Sequence, residues 1–524
     1  MPGNDHYVRQ ILKSLSPDED RVCLVYEDTP TRAGELSAAV RSAAAGLRAQ
    51  GVGAGDVVAV MTVNNTPATL ILRYAAGLVG AVVVHVGTVN AVNPGDVLRV
   101  REQFDIVRST RARVFAIDAD NAERARELRD RFERPVLLVA LGDLGPDVVD
   151  LSVLPPDAFD LADAAQGELA VVTYTSGSTG RPKGVCWSYE VRNDVLARMA
   201  AQAHRQTVLI TAPLTHTAAF TSDNVLVAGG TVVLHHGFDA RAVLRAVERH
   251  RVTRMMLSAP QVYALKDHPD VNSADLSSLR DLMYTGSPAA ADRLAEAVKV
   301  FGPVLCQIYG NSECGQMCRL SGDDHTRPEL LRTVGRPVDL VTLSIRDLQD
   351  DRELPPGEPG EVCVHTPLAM TGYWDDPEQT ARTLRDGRLH TGDIGHLDEE
   401  GYLHLRGRIA DVIKTNGIKV YPAAVEGALA AHPGVAQAAV FGVADADRLE
   451  RIHAVVVARD GHHVTADDLR DHVATTLSPN QAPAVVTFRA ELPVLGFGKP
   501  DRLRLRAEAE EAARVPSHNE WEMR

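Results

Sequence analysis

The sequence predicts an α/β protein with three parts: a large N-terminal body of doubly wound sheets, a small β-barrel-like subdomain, and a small α+β C-terminal domain. Three observations support this class. In the first half, short β-branched runs alternate with Ala-, Arg- and Leu-rich stretches of helical spacing, which is typical of parallel sheets. From about residue 335 the pattern changes to short strands and turns, and beyond Arg408 a separate α+β pattern begins.

The alternating pattern predicts the elements of the body in order. It predicts a helix over 36–50, a strand over 57–61, a helix end that leads into a buried strand over 74–84, a strand over 114–117, a helix over 122–132 and a strand over 136–139. Residues 142–168 are rich in Asp and Pro and are expected to form a surface loop. A second unit follows, with strands over 207–210 and 254–257 around a helix over 240–250.

The remaining elements divide the chain into an N-terminal domain over 1–407 and a C-terminal domain over 408–524. Short strand patterns at 340–347, 360–366 and 401–407 predict the antiparallel, barrel-like subdomain. The C-terminal pattern predicts helices over 423–431 and 466–476 and strands over 436–441 and 453–457. The charged end from Arg502 is expected to be peripheral or frayed.

Composition excludes several classes of protein. The 524 residues are 45% hydrophobic with a formal net charge of −15, which disfavours nucleic acid as a partner. No apolar run reaches the roughly 20 residues of a membrane span, and the polar N-terminus predicts no signal peptide. Six cysteines are few for this length and predict the reducing cytoplasm. Cys314 and Cys318 have no second pair, so we expect no zinc site.

The most informative segment is YTSGSTGRPKG, residues 174–184, which follows the apolar run LAVVTY. Glycines let the backbone approach a ligand closely. Hydroxyls and exposed amides donate to phosphate oxygens, and Lys183 supplies a cation. Pro182 separates Arg181 from Lys183 and no Ser or Thr follows the lysine, so the P-loop hydrolase motif is excluded. The candidate phosphate-binding residues are Thr175, Ser176, Gly177, Ser178, Thr179, Gly180 and Lys183.

This ordered segment resembles the adenylate-forming superfamily, which includes acyl-CoA synthetases, nonribosomal adenylation domains, luciferases and amide-forming acid ligases. The resemblance covers nearly the whole chain. Residues 307–313, QIYGNSE, resemble the family motif Q-x-Y-G-x-T-E, with Ser312 in place of the common threonine. The resemblance implies that Tyr309, beside Gly310, flanks adenine, that Ser312 reaches the α-phosphate, and that Glu313 holds Mg²⁺, which prefers oxygen ligands.

Further motifs resemble the family's ribose, acid and hinge segments. The resemblance implies that Asp393 of Thr391-Gly392-Asp393 binds the ribose hydroxyls of ATP, with Arg408 as a second contact. The turn with Gly286 and Ser287 would lie against adenine and the acyl pocket, and His216 of PLTH would gate the acid tunnel. Lys499 of PVLGFGK would bridge the substrate carboxylate and the α-phosphate, where a cation lowers the barrier electrostatically.

The resemblance implies two steps: an acyl-adenylate and pyrophosphate form first, and a rotated C-terminal domain then directs transfer, usually to coenzyme A. Ala410 occupies the pivot, where most family members carry Asp or Lys. Lys414 matches a lysine that serves the second step in some members, and the alternative for it is a solvated surface charge. The stretch after His216 lacks the F-D-x-S pattern of amino-acid activators, which favours an acid without an α-amino group.

Three alternatives remain open for the acyl acceptor, and one for the class of protein. The leading hypothesis is an acid–CoA ligase. The second is an amide synthetase that passes the acyl group to an amine without coenzyme A, and a ligase that loads a carrier protein is a variant of these. A catalytically silent nucleotide- or acyl-binding protein is disfavoured because four candidate residues are all present: Lys183, Glu313, Asp393 and Lys499.

Overall fold

The computed structural model describes residues 5–86, 98, 100–175, 182–201, 205–215, 217–286, 289–415, 418–444, 450–459, 461–495 and 499–514. Several sequence-predicted site residues lie outside these ranges, namely Ser176, Gly177, Ser178, Thr179, Gly180, His216 and Ser287. Lys499 is described by its backbone alone.

Helices and strands are numbered in chain order. The helices are α1 (Tyr7–Leu15), α2 (Ala33–Ala49), α3 (Pro67–Leu78), α4 (Val100–Thr110), α5 (Ala122–Arg129), α6 (Tyr189–Ala201), α7 (Thr217–Val227), α8 (Ala240–His250), α9 (Ala259–Lys266), α10 (Ala291–Phe301), α11 (Pro377–Thr383), α12 (Pro422–Ala431), α13 (Ala466–Thr476) and α14 (Arg502–Arg514). The strands to β15 are β1 (Val22–Tyr26), β2 (Thr29–Arg32), β3 (Val57–Met61), β4 (Val82–His85), β5 (Val114–Ile117), β6 (Leu137–Ala140), β7 (Val148–Asp150), β8 (Leu169–Thr175), β9 (Lys183–Ser188), β10 (Thr207–Ile210), β11 (Thr231–Leu234), β12 (Arg254–Ser258), β13 (Asp281–Thr285), β14 (Leu305–Asn311) and β15 (Gly315–Leu320). The later strands are β16 (Arg336–Pro337), β17 (Thr342–Arg346), β18 (Gly360–His365), β19 (Gly372–Tyr373), β20 (Leu384–Arg385), β21 (Arg388–Leu397), β22 (Leu403–Arg408), β23 (Ile413–Thr415), β24 (Ile418–Val420), β25 (Val435–Ala444), β26 (Glu450–Ala458), β27 (Val485–Arg489), β28 (Val494–Leu495) and β29 (Lys499–Pro500).

Two large sheets with parallel centres form the body. One has the order β19-β9-β8-β4-β3-β5-β6-β7, and its strands from β8 to β7 pair in parallel. The other has the order β16-β15-β14-β13-β12-β10-β11-β1-β2, with parallel pairing from β14 to β1. Their Val-, Leu- and Ile-rich strands are buried on both faces, as expected of parallel sheets covered by helices.

The later part of the chain adds smaller sheets. Strands β17, β18, β20, β21 and β22 form a five-stranded sheet in which every pair is antiparallel. After β22 come the hairpin β23–β24 and the sheet β25-β26-β27, which packs with α12 and α13. The predicted α/β class, with its antiparallel subdomain and small C-terminal α+β part, is thus confirmed.

Two expectations from the sequence are wrong in part. The segment 142–168 is not only a surface loop: β7 extends the eight-stranded sheet, and Leu151 and Phe159 are buried against α2. The charged end is not frayed over 502–514, because it forms α14. There Leu505 is only 1% exposed and packs with Phe441 and Leu492. In both cases a few apolar side chains within a polar stretch are buried in a hydrophobic core.

A buried charge cluster ties together the helices on one side of the body. Asp223 of α7 is fully buried, and its Oδ2 lies 2.8 Å from an Arg73 nitrogen on α3 and 2.7 Å from an Arg192 nitrogen on α6. The Tyr74 hydroxyl donates to the other Asp223 oxygen at 2.8 Å. Both guanidinium groups also lie over the ring of Phe220, at 5.4 and 4.2 Å. The cluster therefore fixes α7 against α3 and α6.

Among the described residues, no helix combines the length and apolarity that crossing a membrane requires. All six cysteines are buried and unpaired.

Candidate active site

Thr175 and Lys183 face each other at the mouth of the glycine-rich segment. Strand β8 ends at Thr175, β9 begins at Lys183, and these two residues are register partners in an antiparallel pair. A Cβ on Gly184 would lie 2.9 Å from Val172 Cγ1 and 3.0 Å from Trp374 Cβ, so this position leaves no room for a side chain. The strands therefore hold both ends of the predicted phosphate-binding segment, whose middle lies outside the described residues.

Glu313 lies in the turn between β14 and β15, and its side chain is held by a residue that the sequence analysis missed. The Tyr373 hydroxyl donates to Glu313 Oε1 at 2.7 Å, and the Met370 amide donates to the Glu313 carbonyl at 2.6 Å. Burial, with the neighbouring Glu313 charge, raises the pKa of Tyr373 well above its usual value. Tyr373 thus stays a neutral donor beside the carboxylate.

Tyr373 also links Glu313 to Lys183. The Lys183 Nζ lies 5.6 Å from the centre of the Tyr373 ring, within the range of a cation–π contact. One side chain therefore contacts a predicted metal ligand and a predicted phosphate-binding lysine. A single tyrosine that belongs to no motif carries no spacing signal, which is why the sequence did not single it out.

Asp393, Tyr309 and Arg408, three of the residues that the sequence analysis singled out, form a second cluster. The Tyr309 hydroxyl donates to Asp393 Oδ2 at 2.6 Å, and Arg408 Nε lies 3.0 Å from Asp393 Oδ1. Asp393 and Arg408 are register partners on β21 and β22. Burial and the Asp393 charge raise the pKa of Tyr309, and that charge also raises the pKa of Arg408. Both partners therefore remain protonated donors.

Strand β14 and the turn after it join the two clusters, because Tyr309 lies on the strand and Glu313 in the turn. Gly310 is required there, since a Cβ at this position would lie 2.1 Å from the carbonyl oxygen of Gly315. Ser312 lies in the same turn, between the two clusters in sequence.

Strand β13 ends beside β14. These strands are parallel neighbours with Tyr284 opposite Gln307, so they end at the same edge of the sheet, which is where open α/β sheets bind ligands. Gly286 has a φ of +90°, a conformation that favours glycine.

Among the described residues no contact joins Lys414 to these clusters, and of Lys499 only the backbone is described. Lys414 lies on the hairpin β23–β24, its side chain is exposed, and its amide donates to Glu450 Oε2 at 2.7 Å. Lys499 begins β29, which pairs with β28. Of the predicted site, the structure therefore brings together Lys183, Glu313, Tyr309, Asp393 and Arg408.

The two clusters offer complementary chemistry. Glu313 presents a carboxylate, an oxygen ligand of the type Mg²⁺ prefers, and Lys183 supplies a cation that contacts the same tyrosine, Tyr373. Asp393 presents a buried carboxylate that can only accept hydrogen bonds, as recognition of adjacent hydroxyl groups requires. A polyphosphate ester with a hydroxyl-bearing sugar matches both clusters.

The fold and the site define a nucleotide-using enzyme of the AMP-binding class. A sequence profile of the AMP-binding enzyme family matches residues 13–374, and one of the AMP-binding enzyme C-terminal domain matches residues 424–499. The chain belongs to the AMP-binding enzyme family, which confirms the resemblance noted in its motifs.

The chain is similar to CoA ligases and to an amide bond synthetase. A feruloyl-CoA synthase of Amycolatopsis sp. is 37% identical over 89% of this chain and 91% of its own. A medium/long-chain-fatty-acid–CoA ligase of Mycobacterium tuberculosis is 31% identical over 97% of this chain and 91% of its own. The structure of the amide bond synthetase McbA from Marinactinospora thermotolerans is similar with a TM-score of 0.85 and 34% identity, covering 96% of this chain and 99% of that one.

Proposed function

We propose that the protein is an ATP-dependent carboxylic acid ligase that forms an acyl-adenylate, releases pyrophosphate and transfers the acyl group to coenzyme A. The observation that carries this proposal is the pair of clusters joined by β14, Lys183–Tyr373–Glu313 and Tyr309–Asp393–Arg408. Membership of the AMP-binding enzyme family and the CoA-ligase relatives support it.

In this proposal each cluster binds one part of ATP. Asp393 accepts from the ribose hydroxyls, with Arg408 as a second contact and Tyr309 beside adenine. Residues 175–180 and Lys183 hold the phosphates, and the turn of Gly286 and Ser287 lies against adenine and the acyl pocket. Glu313 holds Mg²⁺, which when bound offsets the negative charge of the phosphates. Ser312 reaches the α-phosphate.

The substrate acid approaches through a tunnel that His216 gates, and Lys499 bridges its carboxylate and the α-phosphate. The carboxylate oxygen attacks the α-phosphorus and pyrophosphate leaves, so no covalent enzyme intermediate is needed. Much of the catalytic effect lies in holding two anions together.

We place the hinge at Ala410, at the junction of an N-terminal domain of 1–407 and a C-terminal domain of 408–524. Lys414 then serves the second step. The six unpaired thiols support a cytoplasmic location.

Amide synthesis is the second candidate, and one observation favours it. An amide bond synthetase shares the fold over 96% of this chain at 34% identity. In that case the same adenylate passes its acyl group to an amine without coenzyme A. Loading of a carrier protein is a further variant, supported by a fatty acid–[acyl-carrier-protein] ligase of Streptomyces coeruleorubidus, 33% identical over 76% of this chain and 80% of its own.

Pyrophosphate exchange tests the adenylation step. The protein is incubated with Mg-ATP, labelled pyrophosphate and a panel of aryl and alkyl acids, and we expect acid-dependent exchange. Lys499→Ala should reduce that exchange about 100-fold or more, because it removes the cation at the reacting centre. Lys299→Ala, which removes an exposed lysine of α10, is the control and should retain full exchange. Unchanged exchange in Lys499→Ala contradicts the assignment.

The acceptor is tested by product analysis. An accepted acid is incubated with ATP and either coenzyme A or an amine, and we expect an acyl-CoA thioester. An amide that forms only with the amine, with no thioester, would overturn the leading proposal in favour of amide synthesis.

A further inference from the structure

The segment that carries Asp393 interrupts the ladder between β18 and β21. Glu361 pairs with Ile394 and Cys363 pairs with His390, so a single residue of β18 lies opposite residues 391–393 of β21. Such a bulge removes backbone groups from the ladder and re-aims a side chain. The bulge contains Thr391-Gly392-Asp393, and Gly392 has a φ of +71° within it.

The side chain of Glu361 satisfies the backbone that the bulge releases. The Gly392 amide donates to Glu361 Oε1 at 3.0 Å, so this N–H bonds a carboxylate instead of a strand partner. His390 Nδ1 lies 2.9 Å from Glu361 Oε2. Glu361 is only 9% exposed. Because a buried amide without a partner is costly, the carboxylate holds the bulge in one conformation.

Both oxygens of Glu361 are therefore occupied by the segment that presents Asp393. A carboxylate can only accept, so His390 carries a proton on Nδ1 and cannot also accept there from the Arg385 guanidinium 3.0 Å away. Arg385 also lies 3.8 Å from Glu361 Oε2 and supplies the neighbouring positive charge. Glu361, Cys363 and His390 group together as metal ligands could, and the Arg385 guanidinium lies beside the same His390 nitrogen.

We propose that Glu361 is a positioning residue for recognition of the ATP ribose: it fixes the Gly392 backbone and thereby aims the Asp393 carboxylate. This inference rests on the proposed function, in which Asp393 binds the ribose hydroxyls. Glu361 itself contacts neither Tyr309 nor Arg408 in the described structure, so its effect on nucleotide choice passes through Asp393.

The test compares ATP with 2′-deoxy-ATP in pyrophosphate exchange with an accepted acid. The 2′-deoxy analogue lacks one hydroxyl that could donate to the Asp393 carboxylate. Because a hydrogen bond to a charged group is worth about tenfold or more, we expect the wild-type protein to prefer ATP by that factor in kcat/KM. Glu361→Gln should raise the KM for ATP several-fold with little change in kcat, and should reduce the ATP preference toward that of Asp393→Asn. Adding Glu361→Gln to Asp393→Asn should reduce the preference no further.

Glu358→Gln is the matched control, because it removes an exposed carboxylate just before β18 and should keep the wild-type preference. An unchanged ATP preference in folded Glu361→Gln overturns the proposal, and so does an equal further loss in the Asp393→Asn background. If Glu361→Gln does not fold, His390→Gln is measured instead. This change keeps the contact between Glu361 and the Gly392 amide, so it should lower the ATP preference less than Asp393→Asn does. An unchanged ATP preference in His390→Gln would again overturn the proposal. Wild-type protein inactive with every acid would contradict the proposed function itself.

Discussion

At the scale of single residues, the site depends on tyrosines that hold carboxylates. Tyr309 donates to Asp393 and Tyr373 donates to Glu313, at 2.6 and 2.7 Å. Burial keeps both phenols protonated, since the pKa of each is raised. Each carboxylate is therefore oriented before any ligand arrives, which reduces the cost of ordering it on binding.

Tyr373→Phe tests the importance of this orientation for the metal. The change removes the hydroxyl that donates to Glu313 but keeps the ring beneath Lys183. We expect the Mg²⁺ concentration for half-maximal pyrophosphate exchange to rise about tenfold, the usual cost of losing a group that orients a metal ligand. Tyr402→Phe is the control, because it removes a similar hydroxyl contact, 2.8 Å to Asp324 Oδ1, outside the site. An unchanged Mg²⁺ requirement in Tyr373→Phe would show that Glu313 is oriented without it.

Residues with a motif were predictable, and residues that act on those residues were not. Tyr309, Asp393 and Arg408 were predicted and the structure brings them together. Tyr373 and Glu361 were missed, because their roles depend on strand neighbours far apart in sequence. The Tyr373–Glu313 contact spans 60 residues and the Glu361–Gly392 contact spans 31, and no local pattern encodes such pairings.

At the scale of elements, the periodicity of apolar residues in the sequence predicted the bounds of several strands and helices. The strands over 57–61 and 114–117 and the helices over 240–250 and 466–476 have the predicted bounds. The misses are elements that tertiary contacts stabilise, such as β7 and α14. Helix α1 is another: His6 precedes it and is 2% exposed. The His6 ring accepts from the Val8 amide at 3.1 Å and lies 3.0 Å from the Gly77 carbonyl oxygen.

Burial of His6 predicts a pH-dependent stability. Burial lowers the pKa of His6 to about 4 from its usual 6.5, so the unfolded chain binds more protons between these values. The free energy of unfolding is then greatest above pH 6.5 and falls as the pH drops toward 4, by up to about 3 kcal/mol from this residue.

Urea unfolding at a series of pH values checks this prediction. Other buried histidines titrate in the same sense, for instance His325, whose pKa burial also lowers, so the comparison must be between variants. His6→Gln should show a smaller loss of stability over this range than the wild type, whereas His462→Gln, an exposed position, should not. Parallel curves for wild type and His6→Gln would contradict the prediction.

At the scale of the whole molecule, a chain of negative net charge contains a site that we propose for an anionic ligand. The formal net charge is −15, yet each cluster contains a cation: Lys183 lies over the Tyr373 ring, and Arg408 lies beside Asp393. Arg408 is the last residue of β22, so its contact with Asp393 of β21 lies directly before the hinge that we propose at Ala410. Arg502 of α14 in turn pairs with Glu426 of α12 at 2.6 Å, which holds the last helix on the C-terminal part.

Ala410→Pro tests whether rotation at the hinge is needed for the second step. Ala410 lies in a short 3-10 helical turn over Ile409–Asp411. Residues in such turns have φ of about −50 to −70°, close to the −65° that proline fixes. We expect adenylation to persist while transfer to the acceptor falls about tenfold or more. Single-turnover measurement of each step checks this. Ala410→Gly, which frees the backbone, should retain both steps, and an equal loss of both steps in Ala410→Pro would argue against a hinge here.

The buried cluster around Asp223 limits how this enzyme can be redesigned. Helix α7 begins directly after His216, so it is an obvious target for libraries that aim to change the preferred acid. Two guanidinium groups depend on the one carboxylate of this helix, and a buried charge without a partner is strongly destabilising. A library that varies α7 should therefore keep Asp223 fixed, or replace it together with Arg73 and Arg192.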